Sequence, residues 1–216
     1  MIDPPQPLTG TFEAHLTVPL AIAGDASSWA GSFEGVCGEL GLEPLLIEAP
    51  GAAAPLQPMA SLFLHGTLAE AKARVAALAR QLEARGLPVT RIKLEAVGRS
   101  SPYLPERAAD LVWGPARYFE FHLKVHLPDP AEAERLERFC AEGEGHVSRN
   151  PRRTLAEGAT QRFVTLRLRE VGKREAAARH TQLCHSLTGA GFQVTPGTIE
   201  FALLDTGVEL DAGWAS

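Results

Sequence analysis

The chain has 216 residues, 45% of them hydrophobic, which is enough apolar content for one large core or for two cores of about 100 residues each. Its formal net charge of −5 at pH 7 argues against wholesale nucleic-acid binding, which needs a basic surface to neutralise phosphates. The longest helical apolar stretch, around residues 69–82, is interrupted by Glu70, Lys72, Arg74 and Arg80, so no membrane span is expected.

In chain order, TFEAHLTV at 11–18 alternates polar and apolar residues, the pattern of a strand with one buried face. Trp29, Phe33, Val36, Cys37 and Leu40 recur at helical spacing, and PLLIEA and SLFLHGT then read as second and third strands. Thr67, with Glu70 three residues on, carries a capping-box pattern at the head of a helix through Val75, Leu78 and Leu82 that stops at Gly86. VTRIKLEAV closes this set as a fourth strand. After a connection rich in Pro, Gly and charge, YFEFHLKV at 118–125 opens a second set. Asp129-Pro130 offers a helix start before Leu136, Phe139 and Cys140, and GHVSR and FVTLRLRE supply strands. A helix over about 173–188 and the strand GTIEFALLD complete it.

The two sets match in order. His15 meets His122 at an offset of 107, and Glu95 meets Glu200 at 105. QPMASLFLHG at 57–66 meets QRFVTLRLRE at 161–170 at 104, and Cys37 meets Cys140 at 103. Four ordered coincidences point to an internal duplication. The expected fold is α+β: two βαββαβ, ferredoxin-like units, with residues 1–96 as the first repeat, 97–116 as a linker and 117–216 as the second repeat with a C-terminal tail.

In such a unit both helices cover one sheet face, and strand parity assigns the other. Leu16, Leu62, Leu64, Ile92 and Leu94 then face the helices, while Glu13, His15, Thr17, Ser61, Phe63, His65, Arg91, Lys93 and Glu95 face away. The second set contributes Glu120, His122, Lys124, Thr165, Arg167, Arg169, Thr198 and Glu200. Two such polar faces, related by a twofold axis, are expected to form a shared cleft.

Three chemistries fit that cleft. In the first, His15 and His122 act as a catalytic acid–base pair on a phosphate- or carboxylate-bearing small molecule held by Lys124, Arg149, Arg167, Arg169, Thr17 and Lys93. Arg152, Arg153 and Arg162 add to the same basic stretch. His15-Leu16-Thr17 resembles the HxT element of two-histidine phosphoesterases, although Lys124 replaces the hydroxyl in the second set, and Glu120-x-His122-x-Lys124 is similar to the ExExK strand of triphosphate-tunnel enzymes with His in place of the second Glu. In the second, His15, Glu95, His122 and Glu200 ligate a divalent metal cofactor. This resembles the vicinal oxygen chelate enzymes, whose paired modules each lend a first-strand and a last-strand ligand, although those modules are βαβββ. In the third, the repeats form a non-catalytic ligand-binding or oligomerisation module whose charges pair with one another. Pairing discriminates among them, because a binding site for an anion needs unspent donors.

Cys37, Cys140 and Cys184 show no CxxC or zinc spacing, and MIDPPQPLTG lacks the basic and apolar regions of a secretory signal, so a cytoplasmic chain with reduced thiols is expected. Asp205, Asp211 and Trp214 in the tail suggest either a segment pinned in a groove by Trp214 or an acidic lip on the cleft.

Overall fold

A computed structural model describes residues 7–20, 29–129, 131–151 and 160–214. The first six regular elements are β1 (Thr9–Thr17), α1 (Trp29–Leu40), β2 (Glu43–Glu48), β3 (Leu56–Thr67), α2 (Leu68–Glu83) and β4 (Arg91–Val97). After a 3-10 turn at Ala108–Asp110 come β5 (Phe119–Leu127), α3 (Glu132–Ala141), β6 (His146–Ser148), β7 (Thr160–Leu168), α4 (Lys173–Gly189), β8 (Gln193–Thr195) and β9 (Ile199–Asp205). The fold is mixed α+β, with four α-helices and one antiparallel sheet among the described residues. No helix among them is long and apolar enough to cross a membrane.

Local chemistry accounts for the helix limits. The Thr67 hydroxyl accepts from the Glu70 N–H at 3.2 Å, and the Glu70 carboxylate accepts from the Thr67 N–H at 2.8 Å, so the reciprocal cap starts α2 where the sequence indicates. The helix ends at Glu83, and Gly86 turns the chain with φ 79°. For α3 the expected start is corrected: it begins at Glu132, the Asp129 carboxylate accepts from the Ala131 N–H at 2.9 Å, and Pro130 lies outside the described residues.

The strand order is β2-β3-β1-β4-β9-β5-β7-β6, with β8 alongside β5. The polar faces therefore do not belong to two separate sheets stacked across a cleft. They are neighbours in one sheet, joined where β4 pairs with β9. The ladder registers on either side of this seam correspond. Glu13 pairs with Glu95 and Phe63 in the first half, as Glu120 pairs with Glu200 and Arg167 in the second. His15 lies opposite Ser61 as His122 lies opposite Thr165, and Glu43 lies opposite Ser61 as His146 lies opposite Thr165.

The sheet curls until its edge strands meet at one corner. The Glu48 N–H donates to the Arg149 carbonyl at 2.8 Å, and the Arg149 N–H returns a bond to Glu48 at 3.0 Å. Period-two alternation then sorts the residues: Phe12, Ala14 and Leu16 of β1 and Phe119, Phe121, Leu123 and Val125 of β5 are fully buried in the core with Leu78 and Leu82 of α2 and Leu136 of α3. Each such side chain contributes at most about 1.5–3 kcal/mol from burial. The alternate residues line the concave face.

Between β8 and β9 the chain presses against β5. A Cβ on Gly197 would lie 2.2 Å from the His122 carbonyl oxygen and 2.9 Å from its carbon. Gly197→Ala should therefore push β5 aside and destabilise the fold by about 2 kcal/mol. A urea midpoint unchanged from that of the parent would contradict this packing.

Candidate functional site

The concave face carries a buried ion network that crosses the seam. Glu120 of β5 is its hub: Lys93 of β4 reaches one carboxylate oxygen, and Arg167 of β7 donates to the other from Nη2 at 2.7 Å and from Nε at 2.9 Å. Lys93 also pairs with Glu95 at 2.8 Å. Arg91 of β4 makes a two-pronged bond to Asp205 of β9 at 2.7 and 2.8 Å. Asp211, from a 3-10 turn at Val208–Asp211, accepts from Arg91 and Arg167, each at 2.8 Å. The fully buried Tyr118 donates its hydroxyl to Asp205 at 2.5 Å, and its ring faces the Arg167 guanidinium at 4.2 Å.

These pairings govern ionisation. Burial opposes the charged forms of Glu120 and Lys93, but their mutual attraction outweighs it, so Glu120 lies well below the usual carboxylate range and Lys93 well above the usual ammonium range. Glu13, Glu95 and Glu200 behave differently. Burial raises all three, and Glu200 is pushed up to about 8, with the neighbouring His122 pulling the other way without cancelling it.

The two histidines occupy matching positions but differ in charge. The Nε2 of His15 lies 3.6 Å from both Glu13 and Glu95, and its Nδ1 has no hydrogen-bond partner. Burial, reinforced by the positive charge of Lys93, drives it down to about 3 and leaves it neutral. The Nδ1 of His122 bonds to the Thr165 hydroxyl at 2.9 Å, while its Nε2 lies 3.3 Å from Glu120 and 3.5 Å from Glu200. Burial disfavours its charge too, but Glu120 and Glu200 prevail and push it up to about 9. The difference traces to partners: Arg167 and Thr165 organise the His122 side, whereas Phe63 stands opposite Glu13 where Arg167 stands opposite Glu120.

A cavity of about 710 Å³ opens above this floor. Its polar side presents Glu13, His15, Lys93, His122 and Glu200, and its apolar side Leu45, Ile47, Met59, Phe163 and Trp214. The tail closes one end. The Trp214 indole N–H donates to the Val147 carbonyl at 2.9 Å, and the N–H groups of Ala53 and Ala54 bond to the Ala212 and Leu210 carbonyls. Trp214 thus pins the tail in a groove while Asp211 enters the network.

Of the residues singled out from the sequence, His15, Thr17, Lys93, His122, Arg167 and Glu200 line this cavity, and Glu95 lies beneath it, paired with Lys93. The structure does not gather Lys124, Arg149, Arg167 and Arg169 into one basic patch. Arg149 is bonded to Glu48 at the sheet corner at 2.7 Å, because the closure that brings the edge strands together also brings a carboxylate to it. Arg169 lies behind Tyr118 and donates to the Pro115 carbonyl, and Lys124 is exposed further along β5. Arg152 and Arg153 lie outside the described residues. The metal quartet also divides: His15 sits with Glu13 and Glu95, and His122 with Glu120 and Glu200. Glu13 and Glu120 were legible as the first glutamate of each FE-x-H repeat, whereas nothing in the sequence marks Tyr118 as the partner of Asp205.

No protein-family model matches the chain, and no curated protein matches it significantly. A solved structure described as a candidate glycine cleavage system transcriptional repressor aligns with 88% of this chain and 98% of its own, at 11% identity and a TM-score of 0.29. A TM-score that low carries no argument about fold or function.

Two outcomes follow from the network. Glu120→Gln leaves Lys93 and Arg167 buried without their shared counter-charge and should cost about 3–5 kcal/mol in chemical denaturation; a loss below about 1 kcal/mol would show that the hub contributes little. For His122, whose ordinary value is 6.5, the folded value near 9 means a stabilisation that is complete below pH 6.5 and lost as pH rises through 9. An NMR titration should show the His122 ring protonated at pH 7.5 and His15 neutral, and the stability gap between the parent and His122→Gln should shrink between pH 7 and 10.

Proposed function

We propose that this protein is a ligand-binding module whose concave sheet face takes a positively charged ligand. The observation that carries this reading is the charge balance of the buried network. Six carboxyl groups, Glu13, Glu95, Glu120, Glu200, Asp205 and Asp211, meet three permanent cations, Arg91, Lys93 and Arg167, and the imidazolium of His122. All three cations are engaged by carboxylates, and among the described residues the close partners of Glu13 and Glu200 beside the cavity are histidines and a serine. Burial holds the carboxyl groups of Glu13 and Glu200 above their usual range, and an incoming cation would stabilise their ionised forms whereas an anion would not. The phosphate or carboxylate ligand expected from the arginine-rich strands would need unspent guanidinium groups. The geometry therefore favours binding of a cation over phosphoester chemistry. The apolar wall formed by Met59, Phe163 and Trp214 would cover the carbon skeleton of an organic cation.

We also infer that residues 1–96 and 117–216 descend from one duplicated βαββαβ unit joined by the segment 97–116. The corresponding ladder registers and the strand order, which reads alike from either edge, support this. On that reading the paired Glu-x-His segments of β1 and β5 are two copies of one binding element brought into a common cavity.

The test is a thermal-shift and calorimetry panel that sets organic cations (agmatine, spermidine and choline) and divalent ions against phosphate, sulfate and citrate. A cation at about 100 times its Kd should add roughly 2.7 kcal/mol of stability. That gain should fall in Glu13→Gln and Glu200→Gln. Stabilisation by the anions alone would overturn the reading.

A further inference from the structure

The geometry points to a specific occupant for part of this cavity: a first-row divalent metal ion of the zinc or manganese class, held by Glu120 and His122 of β5 and Glu200 of β9. This rests on the cation-binding reading above and makes it specific. Among the described residues these three alone bring ligand atoms within 4.8 Å of one another. Metal–ligand bonds of roughly 2.0–2.2 Å place neighbouring tetrahedral ligands about 3.3–3.6 Å apart. The His122 Nε2 lies 3.3 Å from Glu120 Oε2 and 3.5 Å from Glu200 Oε2, which are two edges of that figure.

A second observation is independent of the cluster's composition. Glu200 is 8% exposed, and its Oε2, the oxygen that faces His122, has no hydrogen-bond partner. Its nearest charge partner among the described residues, His122, stands 3.5 Å away, and a buried carboxylate oxygen so placed would gain from a cation in direct contact. The imidazole is also oriented for the purpose. Its Nδ1 is engaged by the Thr165 hydroxyl at 2.9 Å, which sets the ring with Nε2 toward both carboxylates, where a divalent ion would displace the Nε2 proton. In the free protein the Nε2 proton of His122 lies at the point where the three groups converge, and a divalent ion would take its place. Arg167 holds the Oε1 of Glu120 and Lys93 bonds its Oε2, so the ligating oxygen would share its second lone pair with Lys93 as an outer partner. One imidazole and two carboxylates suit borderline and hard divalent ions and leave coordination positions facing the cavity.

The matching group in the first half lacks these supports. The Nδ1 of His15 has no partner to set its ring, and among the described residues Glu13, His15 and Glu95 do not bring three ligand atoms within 4.8 Å of one another. The inference is therefore one ion per chain, at the His122 side.

The experiment uses the full chain without an affinity tag, dialysed against a chelator and titrated with Co²⁺, followed by visible absorption, and with Zn²⁺ and Mn²⁺ by calorimetry. Binding of one ion per chain is expected, with d–d bands of a low-symmetry nitrogen and oxygen site. Glu200→Gln and His122→Gln should weaken it by more than 100-fold, and Thr165→Val by about 10-fold. Replacement of the remote His65 by Gln should leave it unchanged. Circular dichroism separates lost binding from lost folding, and Thr165→Val tests the site without touching a ligand. Absence of one-to-one binding, or binding indifferent to Glu200→Gln and His122→Gln, overturns the inference. If agmatine or spermidine binds while Co²⁺, Zn²⁺ and Mn²⁺ do not, the metal site falls and the cation-binding reading stands. If neither class binds, both fall.

Discussion

The structure depends on a carboxylate that cannot be left alone. Glu120 lies almost wholly out of solvent on the concave face, and an ionised group there is tolerable only with counter-charges in contact. Lys93 answers from β4 in the first half and Arg167 from β7 in the second, so one side chain ties together strands far apart in the sequence. Arg167 in turn needs a second acceptor. Asp211 supplies it and also engages Arg91, whose other partner is Asp205. The tail is consequently part of the interior, and its 3-10 turn closes the end of the cavity because the network requires its carboxylate.

Corresponding ladder positions on the two sides of the seam carry different chemistry. Opposite the first glutamate of each Glu-x-His segment stands Phe63 on one side, 63% exposed, and Arg167 on the other, buried. Opposite each histidine stand Ser61 and Thr165, but Ser61 turns its hydroxyl to Glu13 whereas Thr165 bonds the imidazole. One histidine is thereby neutral and loosely partnered, and the other is charged and held between two carboxylates.

The apolar wall completes the physical picture. Strand parity places Leu45, Ile47 and Met59 on the concave side at the β2 edge and Phe163 on the same side at the β7 edge. Because the sheet curls, these edges stand over the charged floor. Low-polarity walls strengthen every electrostatic interaction at the floor, which raises both the cost of unpaired carboxylates and the gain from a bound cation.

Much of this was legible in the sequence, because side-chain direction along a strand follows a period of two whatever the strand packs against. The alternation in TFEAHLTV and YFEFHLKV assigned Glu13, His15, Glu120 and His122 to one face, and the offsets between the two sets matched His15 with His122 and Glu95 with Glu200. The reciprocal cap at Thr67 and Glu70 was equally readable, being a contact between residues three apart. What only the tertiary structure decided are contacts between residues with no local relation. The meeting of Glu48 with Arg149 curled the sheet, the seam between β4 and β9 merged two expected lobes into one surface, and the entry of Asp211 joined Arg91 to Arg167. Arginines at alternating positions read as an anion site until their partners are known; Arg149 and Arg167 were already matched to Glu48, Glu120 and Asp211. Period and capping act over a few residues and are therefore written in the order of the chain, whereas charge pairing acts through space, and which carboxylate meets which guanidinium is determined only when the sheet closes.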